Sequence, residues 1–195
     1  PAWLQVPQEL SHRLIVRMDP GRAFGTGSHP TTRLCLEALE NKVPSGLKVA
    51  DVGCGSGVLS IAALRLGAKK VLAVDIDPVA VHATRENGDM NCIHLDLLDV
   101  SIGSLDILHN KLNGSFVDLL LCNTLAPVIE SLAPQFDKIL VPGGQAYLSG
   151  LLVDQVFRLT SFLESLGWQV VFEARKGNWA LLSIKRPLRG GPETY

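Results

Sequence analysis

Val49-Ala50-Asp51-Val52-Gly53-Cys54-Gly55-Ser56-Gly57-Val58 decides how this chain is read. Val49, Ala50 and Val52 are apolar, as in a strand buried on both faces. Gly53, Gly55 and Gly57 carry no Cβ, so the backbone can turn sharply and a ligand can lie against it. Val58 to Leu66 is helical in character, and Gly67 follows as its C′ residue. A helix N-terminus behind a glycine turn presents N–H groups and the positive end of a dipole. Such a turn suits a nucleotide or the carboxylate of an amino-acid-like ligand.

The spacing narrows the ligand. Dinucleotide sites show G-x-G-x-x-G, whereas this turn is G-x-G-x-G behind Asp51. A second apolar strand, Lys70 to Asp75, ends on an acid about twenty positions after Gly53, where an acid meets a ribose hydroxyl in such folds. Together Gly53, Gly55 and Asp75 indicate an adenosine-bearing cofactor, and S-adenosylmethionine fits the shorter glycine pattern better than NAD.

Composition sets the frame. The chain has 195 residues, of which 47% are hydrophobic, enough for one domain built on a sheet covered on both faces. A net charge of −1 without a basic run argues against a long nucleic-acid footprint. Cys35, Cys54, Cys92 and Cys122 form no C-x-x-C pair and read as buried free thiols of a reducing, cytoplasmic setting. No stretch reaches the ~18 consecutive apolar residues of a membrane span. No signal-peptide pattern opens the chain, and the start at Pro1 reads as a fragment or a processed product.

Outward from the glycine turn, strands and helices alternate. Leu14 to Val16 is expected as a short strand. The glycine- and proline-rich stretch Asp19 to Thr32 is a loop, whose Phe24 is expected to pack on something. Arg33 to Glu40 follows as a helix with Thr31 or Thr32 as N-cap. Asp77 caps the next helix with Pro78 at N1, running to about Asn91 and weakened by Gly88. Ile93 to Leu97 is expected as the third strand, and Asp99 to Ser115 as a loop with at most a helical turn. His82, His94 and His109 show no ligand spacing. Phe116 to Cys122 is a fourth strand ending in Asn123. Val128 to Leu140 is helical with a break near Pro134, Pro142-Gly143-Gly144 a turn, and Gln145 to Leu151 a fifth strand. An amphipathic helix over Asp154 to Leu166 precedes a hairpin, Trp168 to Ala174 and Trp179 to Lys185.

That order implies an α/β doubly wound, Rossmann-like sheet of seven strands, mostly parallel, with an antiparallel last strand. Ligands bind such sheets at the carboxyl ends of the strands, where Gly53, Asp75 and Asn123 all fall.

Three stretches also resemble the PrmA family, methyltransferases that act on the large-subunit ribosomal protein numbered eleven. They are Asp19-Pro20-Gly21-x-Ala23-Phe24-Gly25-Thr26-Gly27-x-His29-Pro30-Thr31-Thr32, Asp51-x-Gly53-Cys54-Gly55-Ser56-Gly57 and Asp75-x-Asp77-Pro78. The glycine turn is common among methyltransferases, while the Phe24 to Thr32 loop is much more specific. The resemblance implies a class I S-adenosylmethionine-dependent fold, with cofactor contacts from Thr32, Gly53, Asp75 and Asn123. The family's Asn-Ile-Leu-Ala is Asn123-Thr124-Leu125-Ala126 here. It further implies that residues 1–18 are a linker-like lead from an absent substrate-capturing domain and 19–186 the catalytic domain, while 187–195, as a chain terminus, is expected to be a frayed tail. Acceptor binding by these residues alone is then expected to be weak.

The reaction implied is methyl transfer to a lysine or α-amino nitrogen of the ribosomal protein. A free lysine has a pKa of ~10.4, so the amine must be made neutral by desolvation and aimed, a task given to Asn123 as a positioning group. Phe24 and its loop would exclude water. A methyltransferase of the same fold acting on another protein lysine or a small amine reads equally well from the residues alone. An NAD-dependent short-chain reductase does not, because Tyr147 is followed four positions later by Leu151 where a lysine is needed. A non-catalytic binding module would not need Asp75 and Asn123 beside the glycine turn.

Overall fold

The computed structural model describes residue 8 and residues 13–19 and 27–188. Phe24 and the rest of loop 20–26 lie outside the described residues, as does most of the tail. Along the chain run α1 (Pro30–Asn41), β1 (Lys48–Val52), α2 (Val58–Arg65), β2 (Lys70–Asp75), α3 (Pro78–Met90), β3 (Leu98–Ile102), α4 (Leu105–Leu112), β4 (Val117–Asn123), α5 (Ala126–Leu132), β5 (Leu140–Leu152), α6 (Val156–Ser165), β6 (Gln169–Lys176) and β7 (Trp179–Lys185).

All seven strands form one sheet in the order β3-β2-β1-β4-β5-β7-β6. β1 pairs in parallel with both β2 and β4, and β7 is antiparallel to both β5 and β6. The order reverses between β1 and β4, which opens a crevice at the carboxyl ends of those strands. The sheet is buried on both sides, so its central strands are largely apolar, with Asp51 of β1 and Asp118 of β4 among the exceptions. In β4, Leu120 and Cys122 belong to the core under α4, α5 and α6, while Leu119 and Leu121 belong to the core under α1, α2 and α3. Leu120 and Leu121 have no exposed surface, and truncating either to Ala would cost about 2–5 kcal/mol.

Several expected elements fall elsewhere. Leu14 to Val16 is not a strand. The segment is held by side chains instead: Asn91 accepts from the Arg17 N–H at 2.9 Å and donates to the Arg17 carbonyl at 2.7 Å, and Asn87 accepts from the Asp19 N–H at 2.9 Å. Ile93 to Leu97 is a turn, and the strand begins at Leu98, because Leu95 and Leu97 are exposed and Leu98 and Val100 are the buried pair. The expected loop after Asp99 is the rest of β3 and then α4, whose Leu105, Leu108 and Leu112 share one buried face. The helix expected over Val128 to Leu140 is α5 plus a 3-10 turn, Ala133–Lys138, entered at Pro134. Pro142-Gly143-Gly144 is not a turn ahead of the fifth strand, which already begins at Leu140. It is an irregular excursion within β5, held to β7's end by hydrogen bonds from Gly143 N–H to the Arg186 carbonyl and from Arg186 N–H to the Gly144 carbonyl.

Asp77 caps α3 as expected, its side chain accepting from the Val79 N–H at 2.9 Å. Gly88 has a packing reason: a Cβ there would lie 3.0 Å from Leu98, so glycine lets α3 cross β3 closely. His82 and His94 sit exposed beside Glu86 and Asp96, and His109 lies 3.4 Å from the Lys138 carbonyl. All four cysteines are free thiols, but Cys92 is exposed, correcting the expectation that all are buried.

Candidate functional site

Strand register brings the expected residues together. Val52 pairs with Val74 on one side and with Cys122 on the other. The next residues, Gly53, then Asp75 and Asn123, therefore emerge at one level, with Asn123 opposite Ser149. Gly53, Gly55 and Gly57 have φ of 75°, 55° and 80°, the left-handed region that side chains resist. Gly53 is exposed between buried Val52 and Cys54, so the turn offers bare backbone to the crevice.

The turn is fastened from behind by α3. Thr84 Oγ1 donates to the Gly55 carbonyl at 2.9 Å, and Asn87 Nδ2 donates to the Ser56 carbonyl at 2.9 Å. A Cβ on Gly57 would sit 2.7 Å from Thr84, so the helix can reach the turn only at a glycine. Thr84 and Asn87 on α3 and Asn91 at its C-cap form a buried polar stripe. Their helical spacing on a core-facing side was the sequence signal for this fastening. The N–H groups of the turn are largely engaged within the protein. Gly53 and Cys54 donate to the Val74 carbonyl, Gly57 to the Cys54 carbonyl, and Gly55 to Asp75. The expected array of open donors is thereby corrected: these four are used to set the turn's shape.

Asp75 is locked at the end of β2. Its Oδ2 accepts from Gly55 N–H at 2.9 Å and its Oδ1 from Asp77 N–H at 3.0 Å. A carboxylate has about four lone-pair positions, so acceptor capacity remains for hydroxyl groups in the crevice. Exposed Ile76 follows it and exposed Ile102 pairs with it across the ladder, giving apolar surface on either side.

Asn123 meets the start of α1. Its Nδ2 donates to Thr32 Oγ1 at 3.4 Å, and Thr32 is buried. α1 is capped by His29, whose ring nitrogen accepts from the Thr31 N–H at 3.4 Å and lies 2.8 Å from Thr31 Oγ1. His29, not Thr31 or Thr32, is therefore the N-cap, with Pro30 at N1. Between this corner and the end of the sheet lies a cavity of about 420 Å³ lined by His29, Thr31, Asn123, Thr124, Leu125, Gly150 and Trp179. The Trp179 ring stands edge-on to His29 with centroids 4.9 Å apart. Sequence reasoning left Gly150 and Trp179 as plain strand residues, and only the fold brings the hairpin back to Asn123.

Asp51 lies directly behind the turn. It is buried and accepts from Ser60 Oγ at 2.6 Å. Burial raises its pKa to about 6 against the opposing pull of the Ser60 hydrogen bond, with Asp75 adding to the rise. Burial pushes the Cys122 thiol up to about 12 and the Cys35 and Cys54 thiols higher still, which leaves them without thiolate character. Among the described residues no three His, Cys, Asp or Glu side chains gather as a metal site.

The family described as ribosomal protein L11 methyltransferase (PrmA) matches residues 1–187. A protein named ribosomal protein L11 methyltransferase from Parasynechococcus marenigrum (strain WH8102) is 59% identical over 95% of this chain and 64% of its own length. One of the same name from Prochlorococcus marinus (strain MIT 9303) is 59% identical over 95% of this chain and 62% of its own. The chain thus spans 62–64% of the length of these curated relatives. A crystal structure of ribosomal protein L11 methylase from Lactobacillus delbrueckii subsp. bulgaricus superposes with a TM-score of 0.84 at 35% identity, covering 96% of this chain and 93% of that one. A putative RNA methyltransferase from Pyrococcus horikoshii, at 22% identity and a TM-score of 0.66 over 90% of this chain and 94% of that one, shares the fold.

Proposed function

The chain belongs to the ribosomal protein L11 methyltransferase (PrmA) family, and from that membership and the site geometry we propose that it is an S-adenosylmethionine-dependent protein N-methyltransferase. Its acceptors are lysine or α-amino nitrogens of a large-subunit ribosomal protein, and it works in the cytoplasm, where that protein is made. No helix among the described residues is long and apolar enough to cross a membrane.

The observation that carries this reading is the single level at which Gly53, Asp75 and Asn123 leave the sheet, with Thr32 brought against Asn123. The residues fit the cofactor. Asp75 would hold the ribose hydroxyls with its remaining acceptor capacity. Ile76 and Ile102 would cover the adenine, and the bare backbone at Gly53 and Gly55 would lie against the amino-acid part. Thr32 and Asn123 close the other side. When bound, S-adenosylmethionine supplies an electrophilic methyl group on a sulfonium centre.

The chain's own task is then to bind and aim a neutral amine. Leu125 and Trp179 give the cavity beside Asn123 apolar walls, and desolvation there favours the neutral form of the entering amine. Asn123 donates through Nδ2 to Thr32, which fixes its amide and leaves the carbonyl oxygen to accept from the amine N–H. Among the described residues no carboxylate lines this cavity, so the acceptor's proton is given to solvent before attack and Asn123 contributes alignment. Calorimetric titration with S-adenosylmethionine and with NAD, followed by methyl incorporation into the ribosomal protein with a full-length relative as positive control, tests the proposal. Binding of S-adenosylmethionine alone with labelling of that protein is the expected result. Binding of NAD, or no labelling at any acceptor concentration, would overturn it.

A further inference from the structure

A second opening lies under the other end of α1, away from Asn123. Two adjoining cavities of about 380 and 360 Å³ share Lys42, Gln145, Tyr147 and Val171. None of Thr32, Gly53, Asp75 and Asn123 lines either one. The gap exists because α1 ends at Asn41 while β5 and β7 continue past it, and because Val171 is displaced where the β6–β7 register shifts.

The lining is rich in donors. Lys42 Nζ donates to Gln145 Oε1 at 2.9 Å, and Gln145 Nε2 donates to Ser183 Oγ at 2.6 Å, so the Ser183 proton is left to donate. Tyr147 is only 3% exposed, and its hydroxyl has no hydrogen-bond partner among the described residues. Among the described residues no sealed side-chain polar atom lacks a partner, so that hydroxyl opens into the cavity that Tyr147 lines. Burial raises the Tyr147 pKa, which keeps the phenol a donor. Lys185 lines the same opening, is exposed and makes no ion pair among the described residues. Among the described residues Asp118 is the one carboxylate in the lining, and its Oδ2 already accepts from the Lys48 N–H at 2.8 Å. Leu119, Val141 and Val171 supply apolar wall.

We propose that this groove is a binding site for a small organic carboxylate. The acid group is held by Lys42, Lys185 and the Tyr147 hydroxyl, and an aliphatic or aromatic body rests on Val171 and Val141. Two ammonium groups and two hydroxyl donors need an acceptor-rich anion, and the apolar wall distinguishes an organic acid from inorganic phosphate.

The test is a titration of the chain with benzoate and hexanoate, with benzamide and inorganic phosphate as comparison probes, followed by calorimetry or amide NMR. Saturable binding of benzoate or hexanoate with a dissociation constant of about 1 mM is expected for so few atoms. Benzamide and phosphate should bind at least about fivefold more weakly. Lys42→Met combined with Lys185→Met should weaken the carboxylate at least about fivefold while leaving S-adenosylmethionine binding unchanged. Both lysines are exposed, so this variant folds, and it decides the matter even if Tyr147→Phe does not. Absence of saturation by about 50 mM would overturn the assignment. So would equal binding of benzamide or phosphate, or wild-type affinity in the double variant.

Discussion

The Thr124 carbonyl occupies the space where a side chain on Gly150 would begin. A Cβ at Gly150 would lie 2.2 Å from that oxygen, 2.6 Å from its carbon and 2.9 Å from the Thr124 nitrogen. Gly150 has φ of 88°, and the β5–β7 register shifts at this point, between Ser149 and Leu151. The result is a bulge that presses the end of β5 onto the turn after Asn123, with Thr124 N–H donating to the Ser149 carbonyl at 3.0 Å. Asn123 is thus aimed from two sides, by Thr32 at its amide and by Gly150 through the following peptide.

Gly150→Ala should therefore lower single-turnover methyl transfer by more than about tenfold, since the peptide after Asn123 must move. Cofactor affinity should change by less than about threefold, because Gly53 and Asp75 are untouched. Gly177→Ala is the control for backbone strain alone: Gly177 has φ of 61° and nothing within 4 Å of its Cβ position. Equal turnover in the two variants would show that the Thr124 contact does not matter for alignment.

Asp75→Ala removes the acceptor for two backbone donors, Gly55 N–H and Asp77 N–H, as well as the proposed ribose partner. S-adenosylmethionine binding should weaken by about 1–3 kcal/mol in calorimetry, and the chain should unfold at lower urea. Unchanged affinity beside reduced stability would confine Asp75 to shaping the turn.

The legible part of this protein was the part whose local chemistry and long-range placement agree. The glycine turn, Asp77-Pro78 at the head of α3 and the Trp179 to Lys185 strand follow from backbone geometry that few residues allow. α4 is hidden in the sequence because Gly103, Asn110 and Asn113 mark a loop, while Leu105, Leu108 and Leu112 alone carry the spacing of a buried helical face. β3 was misplaced by a few residues, since Leu95 and Leu97 are apolar yet exposed and only the neighbouring β2 fixes where pairing starts. At the site, strand-end acids and amides could be read directly. The contributions of Gly150 and Trp179 could not, because they arise where a bulge and a returning hairpin meet Asn123 across the sheet.

The Asn123–Thr32 contact makes a separable prediction. Asn123→Ala should lower the turnover rate more than it weakens the cofactor, and Thr32→Val should do the same to a smaller degree. At 3.4 Å the bond is long, so a double-mutant cycle on turnover should show a coupling of about 0.5–1 kcal/mol. Additive effects in the cycle would mean that Thr32 serves α1 and not the orientation of Asn123.

Asp51 makes the stability of the fold depend on pH in an unusual direction. Its carboxyl is buried under the glycine turn and accepts from Ser60 Oγ at 2.6 Å, and Asp75 and the Cys35, Cys54 and Cys122 thiols are the titratable groups that feel its charge. The folded pKa is raised from 3.8 to about 6. Between those values the folded chain holds a proton that the unfolded chain has released, so the Asp51 contribution to stability falls as pH rises and the full penalty is present above about pH 6. At 1.36 kcal/mol per unit the penalty at neutral pH is about 3 kcal/mol. Asp51→Asn keeps an acceptor for Ser60 and removes the charge. Urea unfolding of both chains at pH values near 4 and near 7.5 should show the variant gaining on the wild type with rising pH, by up to that amount. Parallel profiles would mean that Asp51 is as easily ionised in the folded chain as in the unfolded one.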